Sequence, residues 1–152
     1  MSKIERIRPG VKAFIVHQGK ILVIKERIHH PGTAERILHD VPGGGIDLGE
    51  TLHETVKREV FEEVGLQIEI DYPVGSWDFQ LFDQHDGVHI VCLGFRCHVQ
   101  TDSLDFPTID TSKNPAKEDI FETFWESKEK LLQNTEIFPN ENMRKSLENV
   151  RI

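Results

Sequence analysis

Residues 43–66, GGGIDLGETLHETVKREVFEEVGL, constrain the fold more than any other part of this chain. Thr51 followed by Glu54 reads as a capping box: the threonine hydroxyl accepts from the Glu54 backbone N–H, and the glutamate carboxylate reaches back. A helix therefore starts there. Gly65 can take the left-handed conformation that closes a helix, which gives roughly 14 residues or about four turns. At about 100° per residue, Leu52, Val56, Val60 and Val64 fall on one apolar stripe about 120° wide. That stripe has to pack on something, and the β-rich segments on either side predict a sheet.

Residues 11–27, VKAFIVHQGKILVIKER, form two β-rich runs around turn residues 17–20 and read as a hairpin. The second run is apolar at consecutive positions, as in a strand covered on both faces. Residues 27–35 read as a loop, and residues 36–41 as a short strand stopped by Pro42 and the glycines. Residues 66–82 are β-rich with a break near Pro73 and Gly75. Residues 87–100, GVHIVCLGFRCHVQ, carry the strongest strand signal and are expected near the sheet's centre. Residues 101–117 are polar, hold two prolines and show no period; a loop of this length in a compact domain is usually functional or disordered. The chain closes with a strand in DIFETFW and two short helices in 126–134 and 140–150. Strands interleaved with one long and two shorter helices predict an α/β fold, a mixed sheet between helical layers, as one domain over residues 1–152. Cys92 and Cys97 stand an odd number of positions apart on one strand, so they point to opposite faces and no disulfide is expected.

The formal charge is −8, and no stripe of basic residues tracks a phosphate backbone. Stable binding to nucleic acid is disfavoured. No apolar run is long enough to cross a bilayer, and the first residues lack a signal peptide's apolar segment, so no membrane association and a cytoplasmic location are expected. An acidic chain can still hold a small phosphorylated ligand if a divalent cation stands between carboxylates and phosphates. Glu59, Glu62 and Glu63 lie within an arc of about 100° on the helix, beside its apolar stripe. Carboxylates at i, i+3 and i+4 next to a packed face repel one another unless a cation compensates, and hard oxygen ligands suit Mg²⁺ or Mn²⁺. A solvated acidic face is the bland alternative. The glycine run offers little steric hindrance to a metal or phosphate, though on its own it reads more readily as an ordinary flexible turn.

Together these residues resemble the Nudix hydrolase signature, G-x5-E-x7-R-E-U-x-E-E-x-G-U with U aliphatic. It is filled by Gly44, Glu50, Arg58, Glu59, Val60, Glu62, Glu63, Gly65 and Leu66 without departure. At average residue usage a chance match is on the order of 10⁻¹⁰ per starting position. The resemblance implies the Nudix-type α/β/α sandwich with a central mixed β-sheet. It also implies hydrolysis of a nucleoside diphosphate linked to another group X, such as a nucleotide sugar, ADP-ribose or nucleoside triphosphate, into a nucleoside monophosphate and phosphorylated X. Glu59, Glu62 and Glu63 would be metal ligands, joined by the carbonyl of Gly43, or one of the glutamates would serve as general base. Arg58 and Glu50 match positions that orient the glutamates and brace loop against helix. Glu118 sits where a further acid often completes such sites. Homodimerisation is common in the family. A catalytically silent nucleotide sensor on the same fold is the alternative, which a lost signature glutamate would favour; none is lost.

Substrate choice lies outside the signature. The proline of many ADP-ribose hydrolases would fall near Phe82, Tyr72 is too close to the signature for the diadenosine polyphosphate pattern, and the NADH-cleaving motif is absent. Trp77 and Phe79, with Phe82, are candidates to stack a base, against the commoner core role of such aromatics. Arg27 is a candidate phosphate contact and Phe106 a candidate cover for a ligand. The eight histidines show no metal-ligand spacing.

Overall fold

A computed structural model of the protein describes residues 3–29, 34–82, 87–114 and 119–152. Its strands are β1 (Ile4–His17), β2 (Lys20–Ile28), β3 (Arg36–Asp40), β4 (Gly43–Gly45), β5 (Ile68–Phe82), β6 (Gly87–Val99) and β7 (Asp119–Ser127). The helices are α1 (Leu52–Val64), α2 (Lys128–Gln133) and α3 (Glu141–Glu148). The sheet is mixed: β1 runs parallel to β6, and the other pairings are antiparallel. As expected, β6 lies inside the sheet, between β1 and β5.

The β1–β2 hairpin turns through Gln18 and Gly19, both at positive φ, and pairs only at Val16 with Ile21 and His17 with Lys20. Beyond that the two strands splay. The chain from β3 to β4 fills the gap: β3 lies along β2 from Ile24 onward, the Ala13 N–H donates to the Pro42 carbonyl at 2.8 Å, and β4 pairs with β1 at residues 10–12. The glycines read as a possible flexible turn are therefore a short strand. They are held against β1 directly before α1 begins.

Alternation along β1 and β2 builds two cores. Val11, Ala13, Ile15, Leu22 and Ile24 meet Val56, Val60 and Val64 of α1 on one face; Phe14, Val16, Ile21 and Val23 meet Leu131 of α2 and Met143 and Leu147 of α3 on the other. Each fully buried valine of α1 contributes about 1.5–3 kcal/mol. Leu52, at the start of the predicted stripe, is the exception at 37% exposed. Cys92 lies in the α3-side core and Cys97 in the α1-side core, free and on opposite faces as their spacing requires.

Two differences from the sequence-based expectations stand out. Strand β1 starts at Ile4 rather than near residue 11, because Ile4 and residues 6–9 pair with β6 although their side chains are exposed and Glu5, Arg6 and Arg8 are charged. The loop over residues 101–114 is packed: the Asp110 N–H caps α1 by donating to the Val64 carbonyl at 2.9 Å, and Ile109 lies against the α1-side core. Among the described residues no helix is long and apolar enough to cross a membrane.

Candidate active site

Helix α1 begins as its sequence demands, with the Thr51 hydroxyl accepting from the Glu54 N–H at 3.1 Å. The return arm differs from the expected one, since the Glu54 carboxylate meets the threonine hydroxyl rather than its backbone N–H. Gly65 closes the helix at φ 72°. Between these caps the helix turns Glu59, Glu62 and Glu63 toward β4.

Arg58 organises this face. Its Nε donates to Glu50 Oε2 at 2.7 Å and its Nη2 to Glu50 Oε1 at 2.8 Å, a bidentate fork across the loop that enters the helix. Its Nη1 donates to Glu59 at 2.9 Å and Glu62 at 3.2 Å, and its Nη2 also reaches the Gly45 carbonyl at 3.2 Å. One guanidinium thus ties the entry loop, the glycine strand and two acids of the helix together. Its bond to Arg58 is the main cause that holds the Glu50 carboxyl down at about 2. The same bond leads those that raise Arg58 still further above the range in which it could act as a base.

Glu63 is 3% exposed and accepts from the Gly43 N–H at 2.7 Å. In an antiparallel ladder a residue's N–H and C=O point to the same side, alternating along the strand. Gly43 donates to α1 rather than to β1, so its carbonyl also faces the helix, as does that of Gly45. Gly44 is needed for a different reason: a Cβ there would lie 2.5 Å from the Glu59 carboxylate. The missing side chain is the space in which that carboxylate stands.

Lys12 is a further member of the site, missed in the sequence. Burial disfavours its charge, but Asp40, whose carboxylate is 2.7 Å away, and then Glu63 outweigh this and raise its pKa. A lone lysine inside the apolar run VKAFIV was the signal. The acids expected to need a bound cation are therefore partly compensated by the chain itself, through Arg58, Lys12 and the Gly43 N–H. In keeping with this, no three acidic, histidine or cysteine side chains among the described residues converge as a ready metal group. The donors still suit a hard divalent cation: three carboxylates on one helix face, a main-chain carbonyl turned toward them, and a side-chain-free strand that lets them approach.

The other candidates scatter. Trp77 is 4% exposed and packs on Phe14 with ring centroids 5.9 Å apart, so it is a core residue and its ring is not offered to a ligand. Phe79, two residues on, is 38% exposed. Arg27 is balanced locally by Glu35 at 2.8 Å and Asp119 at 3.1 Å, and stacks on Phe121. Phe106 packs on His17 and Trp125, at the hairpin end of the sheet. Glu118 lies outside the described residues.

Comparison with known proteins bears on the fold and the family. A MutT-like protein of Streptomyces ambofaciens is 33% identical over 79 residues, 52% of this chain, and the chain spans 43% of that relative's length. The crystal structure of a MutT protein from Methanosarcina mazei Go1 superposes with a TM-score of 0.70 at 24% identity, covering 97% of this chain and 94% of that one. A NUDIX hydrolase from Nitrosomonas europaea superposes with a TM-score of 0.66 at 21% identity, covering 93% and 86%. At these identities the structural likeness is one of fold. The sequence also matches the NUDIX domain over residues 6–147, so this chain, with its intact glutamate signature on α1, belongs to the NUDIX family.

Proposed function

We propose that the protein is a divalent-metal-dependent pyrophosphohydrolase that converts a nucleoside diphosphate linked to a group X, with water, into a nucleoside monophosphate and phosphorylated X. One observation carries this reading: Glu59, Glu62 and Glu63 share the face of α1 that looks onto the inward-turned carbonyls of Gly43 and Gly45. Mg²⁺ or Mn²⁺ would be held by these three carboxylates with the Gly43 carbonyl; such an ion, when bound, neutralises phosphate charge and acidifies water.

The chain's own residues do the rest. Arg58 and Glu50 position the acids, because the bidentate fork leaves the guanidinium one geometry from which to reach Glu59 and Glu62. A glutamate not fully engaged as a ligand, or Glu118, takes the proton of the attacking water as the P–O–P bond breaks and the leaving phosphate departs with the bridging oxygen. Phe79 is the candidate to stack the base.

The test is phosphate release, coupled to a phosphatase, across nucleoside triphosphates, nucleotide sugars, ADP-ribose and dinucleoside polyphosphates, each with Mg²⁺, Mn²⁺ or EDTA. Metal-dependent turnover should fall by more than about 100-fold in Glu62→Gln and Glu63→Gln variants that keep the wild-type circular dichroism spectrum. Nucleotide binding without any turnover would replace the enzyme with a sensor. Glu118→Gln decides the base: turnover within about twofold of wild type removes that residue from the mechanism.

A further inference from the structure

Beside the glutamates lies a cleft of about 340 Å³ that runs past the exit of β4, with Glu59 and Gly45 on one side and Arg6 and Arg8 of β1 on the other. A larger hollow of about 480 Å³ near α2, walled by Glu126, Lys130 and Asn134, reaches none of the signature residues. The two arginines are exposed, and neither has an ion-pair or hydrogen-bond partner among the described residues. This is unexpected in a chain with eight more acids than basic residues. Both acids that share their cleft turn to Arg58 instead, Asp47 at 3.4 Å and Glu59 at 2.9 Å.

Placement sharpens the point. The Arg8 guanidinium lies against Gly45, its Nε 3.4 Å from where a Cβ on that glycine would be. Gly44 faces Glu59 and the next residue faces Arg8, so the glutamates and the arginine flank the strand from its two sides. Arg8 is in register with Ile90, and Ile90 with Phe79; Arg6 is in register with Val88, and Val88 with Leu81. Residues in one row point to one face, and strands are about 4.8 Å apart, so Arg8 and the exposed Phe79 share a face about 10 Å from each other. Solvated arginines on a protruding strand are ordinarily only a guard against edge pairing. Here they line one cleft with Glu59 of the acid site and share a face with an exposed aromatic side chain.

We propose that Arg8, assisted by Arg6, binds a phosphate of the substrate beyond the scissile pyrophosphate, so that the preferred X is itself anionic, as in a nucleoside triphosphate, rather than a neutral sugar. This rests on the pyrophosphohydrolase reading. A guanidinium fork matches the oxygens of a terminal phosphate, and a neutral X would leave both forks facing an empty cleft wall.

Calorimetric titration of inorganic triphosphate and of pyrophosphate tests the assignment without reference to a base. The cation is Ca²⁺, which takes the same kind of oxygen ligands. Wild type should prefer triphosphate. Arg8→Ala should weaken triphosphate on the order of tenfold while changing pyrophosphate much less, and Arg6→Ala/Arg8→Ala should erase the preference. Arg36→Ala, which removes an exposed arginine from β3, should leave the preference intact. Arg8→Gln keeps the stem and guards against a packing effect. Equal loss for both probes, no loss, or a wild type without preference would overturn the proposal. A protein that never hydrolyses the substrate panel but keeps the arginine-dependent preference would sink the hydrolase reading and leave the phosphate subsite standing.

Discussion

The adjacent glycines of β4 have opposite tolerances. A Cβ on Gly43 would sit 2.0 Å from the Val11 carbonyl and 2.9 Å from Lys12 Cα, both backbone atoms that cannot yield without moving the strand. A Cβ on Gly44 meets only the far end of Glu59, a flexible side chain. Gly43→Ala should therefore cost stability, about 1–3 kcal/mol by urea denaturation. Gly44→Ala should melt close to wild type yet lose on the order of tenfold or more in turnover, because it displaces the Glu59 carboxylate proposed as a metal ligand. Equal stability losses in the two variants would contradict the geometry. Glu50 makes a pH-dependent prediction. Its carboxyl is lowered from an ordinary 4.5 to about 2, chiefly by Arg58. The unfolded chain therefore binds its proton more readily, so its contribution is complete above about pH 5 and is lost as pH falls toward 2. The stability difference between wild type and Glu50→Gln, followed by thermal melts, should be constant from neutral pH down to about 5 and shrink below it.

For α1 the helix boundaries matter more than its length. At its start Thr51 satisfies one orphan N–H, and at its end the Gly65 and Asp110 N–H groups satisfy the Phe61 and Val64 carbonyls. Thr51→Ala should cost about 1 kcal/mol in chemical denaturation, the usual cost of removing such a cap. The same variant should leave the metal dependence of turnover unchanged, since the glutamates lie two turns further on. A shift in metal affinity as large as that of Glu62→Gln would mean that the cap sets the register of the acids. The packed loop of residues 101–114 acts at this scale too, its length serving to reach the C-terminal end of α1 rather than to cover the cleft.

At the level of the whole molecule the two cores tie the site to global stability. The glutamates sit beside the valines that bury α1, so a cation bound there binds only the folded chain. Saturation at 100 times the dissociation constant would add about 2.7 kcal/mol. Thermal melts with Mg²⁺ or Mn²⁺ should therefore exceed those in EDTA, and the gain should shrink in Glu62→Gln. An equal gain in both proteins would place the cation elsewhere.

Much of this is legible in the amino-acid sequence by itself. The caps of α1, the stripe of valines, the two-faced character of β2 and the opposed cysteines all follow from periodicity and turn chemistry, which act between residues close in the chain. The acids themselves are legible for the same reason, because i, i+3 and i+4 spacing is a local fact. What neighbours they would meet is not. The charge of Lys12 acts on Glu63 and Arg8 lies against Gly45 only because β1 and β2 splay and β4 enters the gap in one register, Lys12 opposite Gly43 and Gly10 opposite Gly45. Trp77 and Phe79 look alike in the sequence and point to the same face, yet the first is buried in the core with Met143 and Leu147 of α3 and the second is exposed. Such outcomes depend on which strand lies beside which and where a layer ends, and pairing between distant segments is invisible to any local pattern.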